Sequence, residues 1–221
     1  MIADLPFADR RAAGRLLGAR LRRAAADPSW RQPLVLGLPR GGVAVAREVA
    51  DALQAPLDVL VTRKIGHPRQ PEFGVGAIAE GGEPVYDAAI LARLGLTRFA
   101  LEPTVARERA ELARRVRVYR GGQPPPEVAG RAVIVVDDGL ATGVTARAAL
   151  RTLRSALAGP TMLAVPVAAT ASAAAMTREA DRVIVLVTPA TFRAVGEWYA
   201  VFGQLTDSDV LQLLECRREA G

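Results

Sequence analysis

The stretch AVIVVDDGLATGVT, residues 132–145, restricts the possible folds more than any other part of the chain. Its run of consecutive apolar residues is typical of a strand that is buried on both faces, as in a parallel sheet. Asp137 and Asp138 follow directly, and the residues after them are small, so the chain must turn before the helical pattern that begins near Val144. Ligands bind at the carboxyl ends of strands in such sheets. The stretch therefore predicts a strand, a turn that carries a ligand site, and a helix.

Similar apolar runs alternate with helical patterns along the rest of the chain. Strands are predicted at residues 33–38, 57–64, 73–80, 132–136, 161–168 and 182–188, and helices at about Phe7–Ala26, Val43–Leu53 and Arg98–Tyr119. Residues 66–71 are predicted to form a polar loop, and residues 121–130 a surface connector. The alternation predicts an α/β fold with three layers, α/β/α, around a mostly parallel, Rossmann-like sheet of five or six strands. We expect a single domain over residues 1–221.

Composition excludes several classes of function. The one cysteine, Cys216, and the one histidine, His67, cannot form a disulfide or a zinc site of several Cys or His ligands. The net charge of +6 comes from dispersed arginines without interleaved aromatic residues, which favours small anions over nucleic acid. No secretory or membrane-spanning pattern is found, and we expect a cytoplasmic enzyme.

The turn after the acid pair has the properties of an anion site. The loop GLATG has only one bulky side chain, Leu140, so its backbone N–H groups can converge on a phosphate, helped by the hydroxyls of Thr142 and Thr145. The two carboxylates can accept hydrogen bonds from a ribose diol, or hold magnesium directly or through water. An ordinary strand-to-helix turn would need only one acid as a cap and one glycine.

Asp137, Asp138, Thr142, Gly143 and Thr145 match the phosphoribosyl-diphosphate (PRPP) binding motif, so the chain resembles the type I phosphoribosyltransferases. The resemblance extends to LGLPRGGVAVAREVA, which is similar to the family's diphosphate loop, and to RKIGHPRQPEFGVGAIAEGG, which is similar to its flexible catalytic loop. A little-characterised, stand-alone bacterial-type group is especially similar. The resemblance implies that Asp137 and Asp138 bind the ribose hydroxyls. The residues that it assigns to the 5-phosphate are Gly139, Ala141, Thr142, Gly143, Val144 and Thr145.

A second set of residues is predicted to bind the diphosphate. Arg40, followed by Gly41 and Gly42, offers a cation and exposed N–H groups where a strand ends, although an ordinary tight turn would have the same pattern. Lys64 is the single lysine among 29 lysines and arginines, which suggests a task for a compact, mobile ammonium group unless it is a compositional accident. Arg69 is a candidate lid residue, whereas His67 is expected to be solvated.

Aromatic residues concentrate near the end of the chain. The resembling family has a hood over its active site, and residues 189–221, together with the N-terminus, are predicted to form it. Phe192, Trp198 and Tyr199 could stack on a planar acceptor, or they could pack against the core.

These features predict a PRPP-dependent phosphoribosyltransferase, a pentosyltransferase that uses Mg²⁺ and a small nitrogen acceptor, such as a nucleobase, and releases diphosphate. Arg40, Lys64, Asp137 and Asp138 are the predicted catalytic residues. Two alternatives stay open: a PRPP- or nucleotide-sensing protein without turnover, and a phosphohydrolase. Exposed aliphatic helix faces predict a homodimer.

Overall fold

The structure, a computed structural model, describes residues 5–25 and 27–215, so Cys216 and the end of the predicted hood lie outside the described residues. The helices are α1 (Arg10–Ala24), α2 (Gly41–Leu53), α3 (Ala88–Leu94), α4 (Arg98–Arg120), α5 (Val144–Ser155), α6 (Thr170–Met176) and α7 (Asp207–Glu215). The strands are β1 (Leu34–Gly37), β2 (Leu57–Val59), β3 (Thr62–His67), β4 (Gln70–Ala79), β5 (Val85–Tyr86), β6 (Val133–Val136), β7 (Thr161–Val167) and β8 (Arg182–Val187). Short 3₁₀ helices lie at Pro28–Trp30 and Val195–Trp198.

The central sheet contains five strands in the order β2, β1, β6, β7, β8, and every neighbouring pair is parallel. In its register, Val35 of β1 lies opposite Ile134 of β6, and Ile134 lies opposite Met162 of β7. This confirms the predicted parallel sheet. Strand β6 occupies the middle of the sheet, so the acid pair that follows it is flanked by the ends of β1 and β7.

The two faces of the sheet are covered by different helices. Leu36 and Val135 point to one face and pack with α5 and α6, whereas Val35 and Ile134 point to the other and pack with α1 and α2. Because successive residues of a strand point to opposite faces, these continuous apolar runs require cover on both sides. The result is the predicted three-layer α/β/α arrangement.

A separate antiparallel sheet of β3, β4 and β5 corrects two predictions. The single strand predicted at residues 57–64 is divided, because the chain leaves the central sheet after β2 and pairs with β4 instead. The loop predicted at residues 66–71 is the tip of a hairpin, in which His67 is paired with Gln70. Gly66 permits this close approach, since a Cβ there would lie 2.1 Å from the Pro71 carbonyl oxygen.

The first helix begins later than the sequence pattern indicated. Its N-cap is Asp9, whose carboxylate accepts a hydrogen bond from the Ala12 N–H at 2.7 Å. Phe7 lies before the helix and forms an isolated bridge with Tyr199, which joins the beginning of the described chain to its later part. Because Asp9 is the N-cap, Arg10 lies in the first turn of α1. No helix in the described part of the chain is long and apolar enough to cross a membrane.

Candidate functional site

The site is organised around the acid pair at the carboxyl end of β6. The Asp138 N–H donates to Asp137 Oδ1 at 2.9 Å, so the two residues are linked to each other as well as adjacent in sequence. Burial and the negative charge of Asp138 raise the pKa of Asp137 well above its ordinary value, while the hydrogen bond from the Asp138 N–H and the charges of Lys64 and Arg10 act in the opposite direction. A bound cation or hydrogen-bond donor at this position would be stabilised by the negative charge of the two carboxylates.

Asp138 is held by contacts from distant parts of the chain. Arg10 Nε donates to Asp138 Oδ2 at 2.8 Å, and both side chains are mostly buried, with exposures of 12% and 15%. The Tyr199 hydroxyl donates to the Asp138 carbonyl oxygen. Within residues 5–25 and 27–215, the other oxygens, Asp137 Oδ2 and Asp138 Oδ1, have no hydrogen-bond donor. Each carboxylate therefore keeps one oxygen for a ligand.

The loop after the acid pair forms an open cradle. Leu140 anchors it to the sheet, because its N–H donates to the Val167 carbonyl and its own carbonyl accepts from the Ala169 N–H, both at 2.9 Å. Gly143 has a φ of +74° and is the N-cap of α5. Among the described residues, the N–H groups of Ala141, Thr142 and Gly143 find no acceptor. Unpaired N–H groups at a helix N-terminus are a binding site for a phosphate.

The segment after β1 packs directly on the acid pair. A Cβ at Gly41 would lie 1.9 Å from Asp138 Oδ2, and one at Gly42 would lie 2.8 Å from the Asp137 Cα. Only glycine therefore allows the start of α2 to approach so closely. The peptide bond between Pro39 and Arg40 is cis. Gly42 is buried beneath the acids, whereas Arg40 and Gly41 line the cavity.

Lys64 lies on β3 and faces the acids from the hairpin. Its side chain is exposed, and it makes no ion pair or hydrogen bond with any residue that the structure describes, apart from the attraction to Asp137. The preceding residue, Arg63, is fixed instead: its Nε and one terminal nitrogen lie 2.9 and 2.7 Å from Glu108 Oε2. Arg63 thus attaches the hairpin to α4, while the side chain of the next residue, Lys64, is exposed and is not held by an ion pair with any described residue.

These groups surround one cavity of about 610 Å³. Of the predicted site residues, those in its wall are Arg40, Gly41, Lys64, Asp137, Asp138, Gly139, Ala141, Thr142, Gly143 and Thr145. The side chain of Val144 is buried and packs with small residues of β4 and α5, so only its backbone is suited to bind the phosphate. Further wall residues that were not predicted from the sequence include Arg63, Arg107, Glu108, Arg115 and Val195.

The predicted hood residues are placed differently from one another. Tyr199 is 5% exposed and packs between Phe7 and Phe202, and its ring centroid lies 5.6 and 5.1 Å from theirs. Tyr199 therefore packs against the core and is not available to stack on an acceptor. Phe192 and Trp198 are half-buried against the same cluster, outside the cavity wall. Among the described residues of the predicted hood, Val195 reaches the cavity. Acceptor stacking stays a prediction for Phe192 and Trp198.

Two further candidates, His67 and Arg69, lie at the tip of the hairpin, and His67 is half-buried. Arg69 is exposed, and its N–H donates to His67 Nδ1 at 3.0 Å. His67 thus stabilises the turn of the hairpin, in keeping with its exclusion from the predicted site. A lid function for Arg69 stays a prediction.

A family model described as phosphoribosyl transferase domain matches residues 11–191, a range that includes both the acid pair and the hairpin. The chain belongs to this family. A Mycobacterium tuberculosis protein, provisionally named a phosphoribosyl transferase and found in two strains, is 44% identical over 209 residues, which are 95% of this chain and 46% of that protein. The chain therefore spans about half the length of the curated relatives that it matches.

Two solved structures are similar to this chain. The crystal structure of TT1426 from Thermus thermophilus is similar with a TM-score of 0.76 and 42% identity, and the similarity covers 94% of this chain and 97% of TT1426. A hypothetical protein from Neisseria gonorrhoeae, solved with bound ppGpp, has a TM-score of 0.51 at 16% identity over 93% of this chain and 91% of that one. The second similarity shows the fold alone.

Proposed function

We propose that this protein transfers the 5-phosphoribosyl group of PRPP to a nitrogen acceptor of the nucleobase type. The bond between the anomeric carbon and the diphosphate oxygen breaks, and its electron pair leaves with the diphosphate. The nitrogen lone pair forms the new bond to the anomeric carbon, and the proton of the acceptor nitrogen passes to water. The positively charged transition state needs no nucleophilic side chain, so positioning and electrostatics account for the catalysis.

The observation that carries the proposal is the common cavity of three groups at the ends of the parallel strands. The acids Asp137 and Asp138 offer two free oxygens, the loop before α5 offers unpaired N–H groups, and Arg40 and Lys64 offer positive charge. A ribose with a phosphate on one side and a diphosphate on the other requires these three partners in one place. Family membership supports the same reaction class.

The proposed roles follow from this arrangement. Asp137 and Asp138 bind the ribose hydroxyls and favour the positive charge that develops on the sugar. Gly139 and residues 141–145 bind the 5-phosphate through their backbone. Arg40, Lys64 and the backbone of Gly41 stabilise the departing diphosphate, whereas Gly42 contributes by allowing α2 to approach the acids.

The residues fit Mg²⁺ as a substrate-bound ion. Magnesium prefers oxygen ligands and usually takes one or two carboxylates together with substrate phosphates and water. Asp137 and Asp138 have one free oxygen each, and the described residues contain no cluster of three or more acidic, His or Cys side chains that would form a cage. When bound, Mg²⁺ would neutralise charge on the diphosphate; Asp137 and Asp138 would hold it directly or through water.

The proposal is tested by incubating the protein with PRPP, Mg²⁺ and a panel of purine and pyrimidine bases while diphosphate release is followed. Release that depends on one base, with formation of the matching nucleotide, is the expected result. Tight PRPP binding without release for any base would instead indicate a sensing protein. Absence of PRPP binding would overturn the proposal.

A further inference from the structure

Arg10 belongs to none of the three motifs that carry the family resemblance, yet it forms an ion pair with Asp138 at 2.8 Å. It lies in the first turn of α1, whose start is fixed by the Asp9 cap. The sequence separation between Arg10 and Asp138 is 128 residues, so neither residue indicates the other in the sequence.

The contacts of Arg10 fix its guanidinium on three sides. Nε donates to Asp138 Oδ2 at 2.8 Å, and Nη1 donates to the Gly203 carbonyl at 2.8 Å. The ring of Phe202 covers one face of the group, with the guanidinium carbon 3.8 Å from the ring centroid. A planar group that is held in this way presents Nε at one place only.

Asp138 is confined in return. Arg10 holds Oδ2, and the absence of a side chain at Gly41 provides the space that this oxygen occupies. The neighbouring Asp137 uses its own Oδ1 to accept the Asp138 N–H. Consequently one oxygen of each acid stays free, and two free oxygens on adjacent residues match the two hydroxyls of a vicinal diol.

We propose that Arg10 is the positioning residue that holds Asp138 for a ribose diol, in addition to stabilising the fold. This inference rests on the proposed function. Without Arg10, the Asp138 carboxylate would lose the donor that fixes its rotation and the positive charge that permits two acids to lie side by side.

The test is the dissociation constant of PRPP in the presence of Mg²⁺, measured by calorimetry, which needs no acceptor. We expect Arg10→Gln to weaken binding by at least about tenfold, ~1.4 kcal/mol, and Arg10→Lys to restore part of the loss because the charge remains. Arg11→Gln is the matched control, since Arg11 is the exposed neighbour on α1. We expect it to bind within about twofold of the unchanged protein. A merely structural role would reduce the fraction of binding-competent protein and leave the dissociation constant unaltered.

Two measurements separate failure of this inference from failure of the proposed function. Equal PRPP affinity in the unchanged protein and in Arg10→Gln would overturn the positioning role and leave the function standing. No PRPP binding by the unchanged protein would overturn the function and, with it, the ribose role of Arg10.

A double-mutant cycle of Arg10→Gln with Asp138→Asn, measured by urea unfolding, tests the ion pair between the two residues. We expect the two substitutions to be non-additive by at least about threefold in the unfolding constant, and additive effects would refute the ion pair.

Discussion

Asp137 and Asp138 are neighbours in sequence, but their surroundings give them different properties. Asp138 has a full positive charge from Arg10 at 2.8 Å, whereas Asp137 has only the more distant charges of Lys64 and Arg10. The pKa of Asp137 is raised because burial and the charge of Asp138 both disfavour its ionised form. Folding therefore has to overcome a local repulsion, which a bound ligand can relieve.

The first prediction concerns the stability cost of this repulsion. A carboxyl whose pKa is raised in the folded state favours folding while it is protonated, and it loses that contribution as the pH rises through its folded pKa. Asp137→Asn should therefore raise the melting temperature at neutral pH by about 2–4 °C, the change that ~1 kcal/mol produces in a domain of this size. The advantage should shrink as the pH is lowered, and a melting series from pH 4 to pH 8 measures it.

Asp209→Asn is the matched control for this experiment. Hydrogen bonds from the Thr206 N–H and hydroxyl lower the pKa of Asp209, so its effect has the opposite sign. The control should lower the melting temperature at neutral pH. A destabilised Asp137→Asn protein would contradict the stated origin of the pKa shift.

Lys64 carries the second prediction, because it is exposed, unpaired among the described residues and close enough to influence Asp137. If its ammonium follows the diphosphate oxygens as the bond breaks, its benefit appears in the transition state more than in binding. Lys64→Arg should keep PRPP affinity and lose at least about tenfold in turnover, ~1.4 kcal/mol. Turnover equal to that of the unchanged enzyme would show that the single lysine is a compositional accident.

At the scale of elements, the start of α2 controls the acid pair by proximity. A methyl group at Gly41 would overlap Asp138 Oδ2 and displace either the acid or the helix. We predict that Gly41→Ala weakens PRPP binding by at least about tenfold, ~1.4 kcal/mol, although alanine is the better helix former. Gly74→Ala is the control, since a Cβ there would meet nothing within 4 Å. Calorimetric titration measures both, and unchanged affinity in Gly41→Ala would contradict the proposed position of Asp138.

The hairpin of β3 and β4 depends on α4 for its orientation. Arg63 is paired with the mostly buried Glu108, so removal of the Glu108 charge leaves the Arg63 guanidinium without this partner. Glu108→Gln should speed hydrogen exchange in residues 62–79 several-fold and reduce turnover through the displaced Lys64. Glu111→Gln, which loses only the partially exposed pairs with Arg114 and Arg115, should leave hairpin exchange unchanged. Equal exchange in both variants would show that the Arg63 pair does not hold the hairpin.

The elements differ in how far the sequence could predict them. Strand β6 and the loop after it were predictable because the apolar run, the acids and the small residues are consecutive. The pairing of the hairpin was not, although a strand was predicted at residues 73–80, because that pairing depends on Gly66 and on contacts with α4. Residues 57–64 have the continuous pattern of a single strand. The segment is divided because residues 57–59 pair with β1 in the central sheet, whereas the residues from Thr62 onwards pair with β4 in the second sheet.

At the scale of the whole molecule, the parts of the site that the sequence could not reveal come from long-range contacts. Arg10 reaches Asp138 across 128 residues, and Arg63 reaches Glu108 across 45. One arginine among many has no local signature that distinguishes it. The motifs indicated the ligand-binding loops, whereas the residues that hold those loops depend on how the layers are assembled.

Self-association is the remaining whole-molecule prediction. Phe99 and Leu157 are 78% and 76% exposed, and burial of their apolar surface in an interface would contribute free energy to association. We expect a homodimer of the 23.4 kDa chain, detectable as one species of twice that mass in sedimentation equilibrium. A single species at the monomer mass over micromolar to millimolar concentrations would contradict it.

The bridge between Phe7 and Tyr199 has a consequence for biosynthesis. The Phe7 N–H donates to the Trp198 carbonyl at 2.8 Å, and the Ala200 N–H donates to the Phe7 carbonyl at 2.7 Å. The residues that hold Asp138, Arg10 and Tyr199, are therefore brought together by segments that lie far apart along the chain. A nascent chain that stops before residue 199 can form most of the central sheet, but it lacks the Tyr199 contact to Asp138 and the Phe202 and Gly203 contacts to Arg10. Chains terminated before that residue would therefore restrain Asp138 less firmly than the chain that includes it.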